Sequence, residues 1–163
     1  MHTAAFSYIA AHIPAGTRSV LEFGSRNING TVRDLVPTVR YVGVDIAAGD
    51  GVDLVADAAT VELDERFDLV VCAEVFEHAR NPVCSAMITN AYRHLADGGT
   101  VIVTAAGPGR AKHSAIDGGP LQPGEFYRNV KATLLASWLT DAGFTAIDVD
   151  TAECDVRATA VKA

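Results

Sequence analysis

The sequence has few cysteines, no long apolar run and no basic cluster. No apolar segment approaches the length of a membrane span, and the N-terminal stretch MHTAAFSYIAAHIPAG has neither the basic region nor the apolar core of a signal peptide. The three cysteines, Cys72, Cys84 and Cys154, show no C-x-x-C pair and no metal-ligand spacing. These absences predict a cytoplasmic protein with reduced thiols, no membrane partner and no metal site.

Positive charge is also scarce. The chain carries 13 Lys and Arg against 20 Asp and Glu, a formal net charge of −7, and it has no run of basic residues. Because nucleic-acid binding depends on clustered positive charge, a nucleic-acid partner is not expected, whereas a small or cationic substrate stays open. The 163 residues are 49% hydrophobic, which predicts a single domain over residues 1–163 with a sizeable core.

The sequence does contain a series of short, nearly continuous apolar segments. Their Val- and Leu-rich composition is typical of strands buried on both faces of a parallel sheet. Five such segments cover residues 18–24, 41–46, 52–57, 67–74 and 99–106. The last residues predict two further strands, 144–150 and 154–162, which must be antiparallel because a parallel crossover needs a dozen or more residues.

Helical spacing of apolar residues occurs between these strands. Helices are predicted near residues 3–12, near residues 28–36, from Asn81 to Gly98 and from Asn129 to Gly143. Asn81 and Asn129 are the expected N-caps. The alternation of strands and helices indicates an α/β fold, a Rossmann-like doubly wound sheet that is mostly parallel with one antiparallel strand near its edge.

The first loop of this sheet belongs to the stretch VLEFGSRNING, residues 20–30. It follows the first strand, and ligands of open α/β sheets bind beyond the carboxyl ends of the strands. A dinucleotide site needs G-x-G-x-x-G, in which the second glycine lets the backbone approach the pyrophosphate. Here Gly24 is followed by Arg26 and Ile28 at the next alternate positions. The loop therefore argues against a nicotinamide dinucleotide.

Acidic residues occur at the ends of four predicted strands: Glu22, Asp45, Asp57 and Glu74. A carboxylate at the position of Asp45 can accept two hydrogen bonds from a ribose diol. Such a set of negative charges disfavours a pyrophosphate and favours a nucleoside that carries positive charge. The strand ends therefore predict a cationic nucleoside cofactor.

In their order and spacing, these segments resemble a class I S-adenosylmethionine-dependent methyltransferase of the small "methyltransferase domain" type. The similar segments are VLEFGSRNINGTVRDL, YVGVDI, DLVADA, RFDLVVCAEVFEHARNP and HLADGGTVIVTAAGP. The likeness spans roughly residues 18 to 150, and the final hairpin matches the reversed seventh strand of that family. The resemblance implies a seven-stranded fold, S-adenosyl-L-methionine as cofactor and S-adenosyl-L-homocysteine as product.

The resemblance also implies roles for residues of the first two strand ends. Glu22 would steady the glycine turn or reach the cofactor through water, and Gly24 and Ser25 would lie against the methionine moiety. Asp45 would hold the ribose hydroxyls, and Ile46 would pack on the adenine. Structural roles stay open beside these, since Glu22 could instead satisfy loop amides.

Further roles fall on the third and fourth strand ends. Asp57 and Ala58 would contact the adenine edge, while Glu74 and Val75 would face the cofactor from the fourth strand. His78 would lie beside them. The structural alternatives are that Asp57 caps a helix and that His78 orients the helix that follows it.

Arg26 marks a departure from the family pattern, because it stands where the family's G-x-G-x-G has its second glycine. We expect Arg26 to pair with the carboxylate of the cofactor and so to replace backbone donors in part.

The segment of residues 107–130 follows the fifth strand and is expected to overhang the site. A loop of this length in a compact domain is usually functional or mobile. If the acceptor is a hydroxyl or an amine, a base within hydrogen-bond reach helps, and His113 is the first candidate, followed by Asp117 and Glu125. The alternative is that Asp117 caps a turn and Tyr127 packs the loop down.

These patterns predict a methyltransferase that acts on a small or medium-sized acceptor, which the sequence does not identify. A homodimer that completes the site is a further hypothesis. Two other functions stay open. One is a catalytically silent, methyltransferase-like binding or regulatory module. The other is a nicotinamide-dependent oxidoreductase, which Arg26, Ile28 and the lack of a Tyr-x-x-x-Lys pair disfavour.

Overall fold

The computed structural model describes residues 3–37 and 39–163, which form one mixed sheet with helices on both faces. The strands are β1 (Ser19–Phe23), β2 (Arg40–Asp45), β3 (Leu54–Val55), β4 (Phe67–Ala73), β5 (Leu95–Ala106), β6 (Thr145–Ala152) and β7 (Asp155–Val161). Their order is β3-β2-β1-β4-β5-β7-β6, and among these strands β7 alone runs in the direction opposite to the others. The predicted fold class is therefore confirmed.

The order of the strands reverses at β1. From β1 the chain moves outward to β2 and β3 and then returns to place β4 on the other side of β1. In such sheets the crevice at the carboxyl ends of the two central strands is where ligands bind. The fold thus places the loop after β1 and the loop after β4 side by side.

In the part of the chain that the structure describes, three α-helices cover the sheet: α1 (Thr3–His12), α2 (Asn81–His94) and α3 (Ala132–Ala142). Neighbouring residues of β1 point to opposite faces, so that Val20 packs in a core cluster with Ile9 of α1. Leu21 packs in a second cluster with Ile88 of α2 and Leu139 of α3. Burial on both faces explains why the strand segments are apolar at nearly every position. None of the helices in residues 3–37 and 39–163 is both long and apolar enough to span a membrane.

Two predicted elements are shorter in the structure. The helix expected at residues 28–36 is a 3₁₀ turn, Val32–Leu35, because the side chain of Asn27 accepts a hydrogen bond from Gly30 N and holds a non-helical loop before it. The strand expected at residues 52–57 has only two residues, Leu54–Val55, because Asp53 uses its side chain to accept from Gly43 N instead of extending the pairing.

The predicted starts of α3 and β5 are also corrected. Helix α3 begins at Ala132, and Asn129 is not its cap; its side-chain amide donates to the carbonyls of Gly107 and Arg110 at 2.7 and 3.1 Å. Strand β5 already begins at Leu95, directly after α2, rather than at residue 99. The predicted end of α3 is confirmed, since Gly143 closes the helix with φ +97°.

Candidate active site

A cavity of about 1080 Å³ opens at the carboxyl ends of the central strands, where the strand order reverses. Its volume lies just above the usual range for ligand pockets, which runs from about 300 to 1,000 Å³. The segment of residues 110–120 forms one wall. All eleven predicted cofactor residues line the cavity: Glu22, Gly24, Ser25, Arg26, Asp45, Ile46, Asp57, Ala58, Glu74, Val75 and His78. The structure brings this set together, and the binding role of each residue stays a prediction.

Gly24 forms a tight turn after β1. Its φ is +78°, and the amides of Gly24 and Ser25 both donate to the carbonyl of Val44, at 2.8 and 3.1 Å. Ser25 is buried, and its hydroxyl has no hydrogen-bond partner among the described residues. Since buried polar groups nearly always have a partner, this hydroxyl fits a site for a polar ligand.

Glu22 lies at the base of the cavity, where it is 3% exposed. The hydroxyl of Tyr41 donates to its Oε2 at 2.6 Å. Burial raises the pKa of Glu22 to about 7, although the hydrogen bond from Tyr41 and the charge of Arg33 oppose this shift. Tyr41, rather than the amides of the loop, is therefore the partner of this carboxyl.

Asp45 ends β2 beside the cavity. Its Oδ1 accepts from Ala47 N at 2.9 Å, and its Oδ2 accepts a longer bond of 3.3 Å from Arg26 N. The next residue, Ile46, is 77% exposed, which leaves an apolar surface free at the cavity edge. A carboxylate next to an exposed apolar side chain suits a nucleoside, because one can bind the sugar and the other can pack on the base.

Asp57 and Arg26 both make contacts within the chain as well as lining the cavity. The Oδ1 of Asp57 accepts from Ala59 N at 2.8 Å, which holds a turn over residues 58–60; among the described residues no helix begins here, so Asp57 is not the helix cap that was its structural alternative. The guanidinium of Arg26 donates to the carbonyl of Ile116 at 3.0 Å. Arg26 therefore joins the glycine loop to the segment that overhangs the site.

Glu74 follows β4 with a φ of +57°, a conformation that is rare for a residue with a side chain and that clusters at functional sites. Its Oε2 accepts from the guanidinium of Arg110 at 3.2 Å, and the same guanidinium pairs with Asp155. Burial raises the pKa of Glu74, and Arg110 opposes the shift. The sequence analysis missed Arg110, which no motif marks.

Beyond Glu74, two histidines and a buried acid meet at one end of the cavity. Glu77 is fully buried in the 3₁₀ turn Phe76–His78, and its Oε1 lies 3.8 Å from Nε2 of His113. The ring centroids of His78 and His113 are 5.0 Å apart, and Tyr127 packs edge-on against both rings. Glu77 was missed as a site residue, although it adjoins His78 in the motif that carries the family resemblance.

Asp117 and Glu125 do not line the cavity. Glu125 accepts from Gln122 N, Ala115 N and the hydroxyl of Ser114, at 2.7 to 3.0 Å. Asp117 accepts from Gly119 N at 2.9 Å and from the amide of Gln122 at 3.1 Å. Both acids thus hold the loop in shape, which favours the structural alternative for them and leaves His113 as the best-placed of the three base candidates.

Comparisons with known proteins agree with this architecture. Residues 4–149 match the protein family described as "Methyltransferase domain". Among curated proteins, the chain is similar to the ubiquinone biosynthesis O-methyltransferase of Pseudomonas putida, with 30% identity over 104 residues. That alignment covers 59% of this chain and 44% of the relative, so the match spans less than half the length of the curated protein.

Solved structures share the fold over almost the whole chain. Streptomyces venezuelae DesVI matches with a TM-score of 0.74 and 13% identity, over 98% of this chain and 91% of that one. The Burkholderia thailandensis 1,6-didemethyltoxoflavin-N1-methyltransferase, solved with 1,6-didemethyltoxoflavin and S-adenosylhomocysteine, matches with a TM-score of 0.72 and 17% identity, over 98% and 77%. At such low identity these likenesses show the fold alone.

Proposed function

Because the chain belongs to the methyltransferase domain family, we propose that it is an S-adenosylmethionine-dependent methyltransferase acting on a small or medium-sized acceptor. One observation carries the proposal: the cavity at the point of strand reversal is lined by carboxylates at the ends of four strands. Glu22, Asp45 and Glu74 are among them. Such a cavity suits a nucleoside that bears a positive charge better than one that bears a pyrophosphate.

The chemical types of the residues around the cavity suit this cofactor. Asp45 and Ile46 would hold the ribose and the adenine, and the hydroxyl of Ser25 is a buried group in need of a polar partner. Gly24, which has no side chain of its own, contributes only backbone to the lining of the cavity. S-adenosyl-L-homocysteine, the expected product, would occupy the same residues.

When bound, the cofactor supplies a methyl group already activated on a sulfonium, so the protein has mainly to align the acceptor and exclude water. The end of the cavity at His78, His113 and Met87 is where an acceptor would lie. Nδ1 of His113 is 3.3 Å from the carbonyl of Ala111, to which it can only donate. Its Nε2 is then free to accept a proton from a hydroxyl or amine acceptor.

The experiment that tests the cofactor is calorimetric titration of the purified protein with S-adenosylhomocysteine. We expect binding that falls at least about tenfold in Asp45→Ala, since a hydrogen bond to a charged group contributes about 1.5–3 kcal/mol and 1.4 kcal/mol is a factor of ten. Asp64→Ala, at an exposed acid outside the cavity, is the matched control. NADH should not bind. Failure of S-adenosylhomocysteine to bind the wild type would overturn the proposal.

His113 is tested separately, by turnover across a panel of hydroxyl- and amine-bearing acceptors. His113→Ala should lower turnover by roughly two to four orders of magnitude, the usual contribution of a positioned acid or base. Its affinity for S-adenosylhomocysteine should stay close to that of the wild type. If turnover and the affinity for S-adenosylhomocysteine fell equally, His113 would not act on the acceptor alone.

A catalytically silent binding module is the second candidate, favoured by the departure of Arg26 and Ile28 from the glycine pattern of the family. Binding of S-adenosylhomocysteine without turnover across the panel would support it.

A cytoplasmic location agrees with three free cysteines, Cys72, Cys84 and Cys154. A homodimer that completes the acceptor side stays a prediction, and sedimentation of the purified chain tests it.

A further inference from the structure

We propose that Glu77, His78 and His113 bind a divalent transition-metal ion, of which zinc fits best, at the acceptor end of the cavity. The three residues come from two segments, the turn after β4 and the loop after β5. Metal binding as such is independent of the cofactor. Only the role of the ion toward the acceptor, described below, rests on the proposed function.

The geometry brings three ligand atoms together. One ligand atom from each residue lies within 4.8 Å of the other two, and Oε1 of Glu77 is 3.8 Å from Nε2 of His113. Zinc binds carboxylate oxygen and imidazole nitrogen at about 2.0–2.2 Å, so ligand atoms of a tetrahedral ion are about 3.4 Å apart. The separations, at most 4.8 Å, therefore have to close by up to about 1.4 Å for an ion to bind.

The buried groups at this point lack hydrogen-bond partners that the structure would otherwise be expected to provide. Three buried atoms have no well-aligned partner within residues 3–37 and 39–163: the two carboxylate oxygens of Glu77 and Nδ1 of His78. The backbone amides of Glu77 and Ala106 lie near this carboxylate, but neither makes a well-aligned hydrogen bond to it. Unpartnered buried groups of this kind are rare and call for a ligand.

Charge points the same way. A buried carboxylate is costly unless a cation or a proton neutralises it. The guanidinium of Arg110 is bonded to Glu74 and Asp155 rather than to Glu77. A divalent ion would supply both the missing positive charge and the missing partners.

Each histidine is also held in the manner of a metal ligand. A ligating histidine usually gives its second ring nitrogen to a backbone carbonyl or a carboxylate, which fixes the ring and its tautomer. Nδ1 of His113 lies 3.3 Å from the carbonyl of Ala111, which leaves Nε2 toward Glu77. The ring of His78 lies near the backbone of Phe126, and its buried Nδ1 has no hydrogen-bond partner among the described residues, so this nitrogen is available to a metal ion.

The ligand chemistry selects the ion. Two imidazoles and one carboxylate are a zinc set that leaves a fourth position open, whereas magnesium and calcium prefer oxygen ligands. Glu77, His78 and His113, which lie together here, are such a set.

The open position faces the cavity, because His78 and His113 both line it. A hydroxyl coordinated there would lose its proton to solvent more readily, since a bound zinc ion lowers the pKa of an oxygen ligand. The oxygen's electron pair would form the new bond to the methyl carbon, and the pair of the broken sulfur–carbon bond would return to sulfur. The acceptor would then be a hydroxyl compound, and His113 would act as a ligand instead of as the base.

The test is titration of the chelator-treated, purified protein with zinc, and separately with magnesium. We expect one equivalent of zinc to bind, with affinity at least about tenfold lower in Glu77→Gln and in His113→Ala, and magnesium to bind more weakly. His12→Ala, at an exposed histidine in α1, is the matched control and should bind zinc as the wild type does. Cobalt in place of zinc should give the absorption of a tetrahedral site.

Two results would overturn the site: no stoichiometric zinc binding by the wild type, or equal binding by wild type and both variants. Because Glu77 is buried, its variant could fail to fold, so His113→Ala, at a partly exposed loop residue, is the decisive protein. Circular dichroism and titration with S-adenosylhomocysteine show that it is folded. If the wild type did not bind S-adenosylhomocysteine, only the proposed function would be contradicted. The zinc titration would still test the metal site.

Discussion

A methyl group on Gly24 would lie 1.9 Å from Cγ2 of Val75. Gly24 belongs to the turn after β1 and Val75 to the turn after β4, so the two turns interlock at the point where the strand order reverses. Contact this close leaves no room for any side chain at residue 24. Glycine at residue 24 therefore lets the two turns pack directly against each other.

Gly24→Ala should destabilise the protein more than an equivalent change elsewhere. The positive φ alone costs about 1–2 kcal/mol for a residue with a side chain, and the overlap with Val75 adds overpacking of about 1–3 kcal/mol. Chemical denaturation measures the change in the free energy of unfolding. The affinity for S-adenosylhomocysteine should fall as well.

Gly98 provides the control, because its φ is +77° and a Cβ placed there would meet nothing within 4 Å. Gly98→Ala should show the conformational cost alone. Adding Val75→Ala to Gly24→Ala should recover part of the overlap cost. If Gly24→Ala and Gly98→Ala lost equal stability, the interlocking of the two turns would have no energetic consequence.

Glu22→Gln should alter how stability depends on pH. Burial raises the pKa of Glu22 from 4.5 to about 7, so the folded protein keeps a proton that the unfolded chain releases. The protonated carboxyl makes its full contribution to the free energy of unfolding below pH 4.5, and this contribution is lost as the pH rises to 7. Glutamine cannot ionise, so the variant should gain stability relative to wild type over that range, on the order of 3 kcal/mol.

The measurement is the free energy of unfolding of both proteins from pH 4 to pH 9. Glu62→Gln, at an exposed acid, should leave the pH dependence unchanged. A constant difference between Glu22→Gln and wild type across the range would mean that the carboxyl of Glu22 ionises normally in the folded protein.

Arg110→Ala should destabilise the protein by about 3 kcal/mol, because removing one member of a buried ion pair leaves carboxylates without their cation. Arg110 is mostly buried and bridges Glu74 and Asp155, which joins the end of β4 to the start of β7. Arg40→Ala breaks the exposed pair with Glu65 and should cost less than about 1 kcal/mol. Equal losses in thermal or chemical unfolding would contradict a special role for the Arg110 bridge.

Arg26→Ala should weaken S-adenosylhomocysteine binding by about tenfold, if the guanidinium pairs with the carboxylate of the ligand. Adenosine lacks that carboxylate, and its affinity should not change. A similar loss for both ligands would instead assign Arg26 to holding the loop through its bond to Ile116 O. Unchanged binding of S-adenosylhomocysteine would show that Arg26 does not contact the cofactor. Calorimetry with the two ligands separates these outcomes.

Most of the fold was predictable from the sequence because a strand that is buried on both faces must be apolar at nearly every position. The exceptions occur where local polar contacts overrode the pattern. The hydrogen bond from Gly30 N to the side chain of Asn27 holds a loop where the helix of residues 28–36 was expected to begin. Asp53 shortens β3 because its side chain accepts a hydrogen bond from Gly43 N. Asn129 follows the N-cap pattern but donates to carbonyls of the loop after β5.

The candidate site divides in the same way. The strand-end acids that line the cavity were predictable, because acids such as Asp45 end parallel strands and the carboxyl ends of neighbouring parallel strands must lie at one edge of the sheet. The contact of His113 with Glu77, and the bridge that Arg110 makes between Glu74 and Asp155, became visible in the folded chain alone. Those contacts depend on the path of a loop without regular structure, whose course no repeating pattern of residues determines.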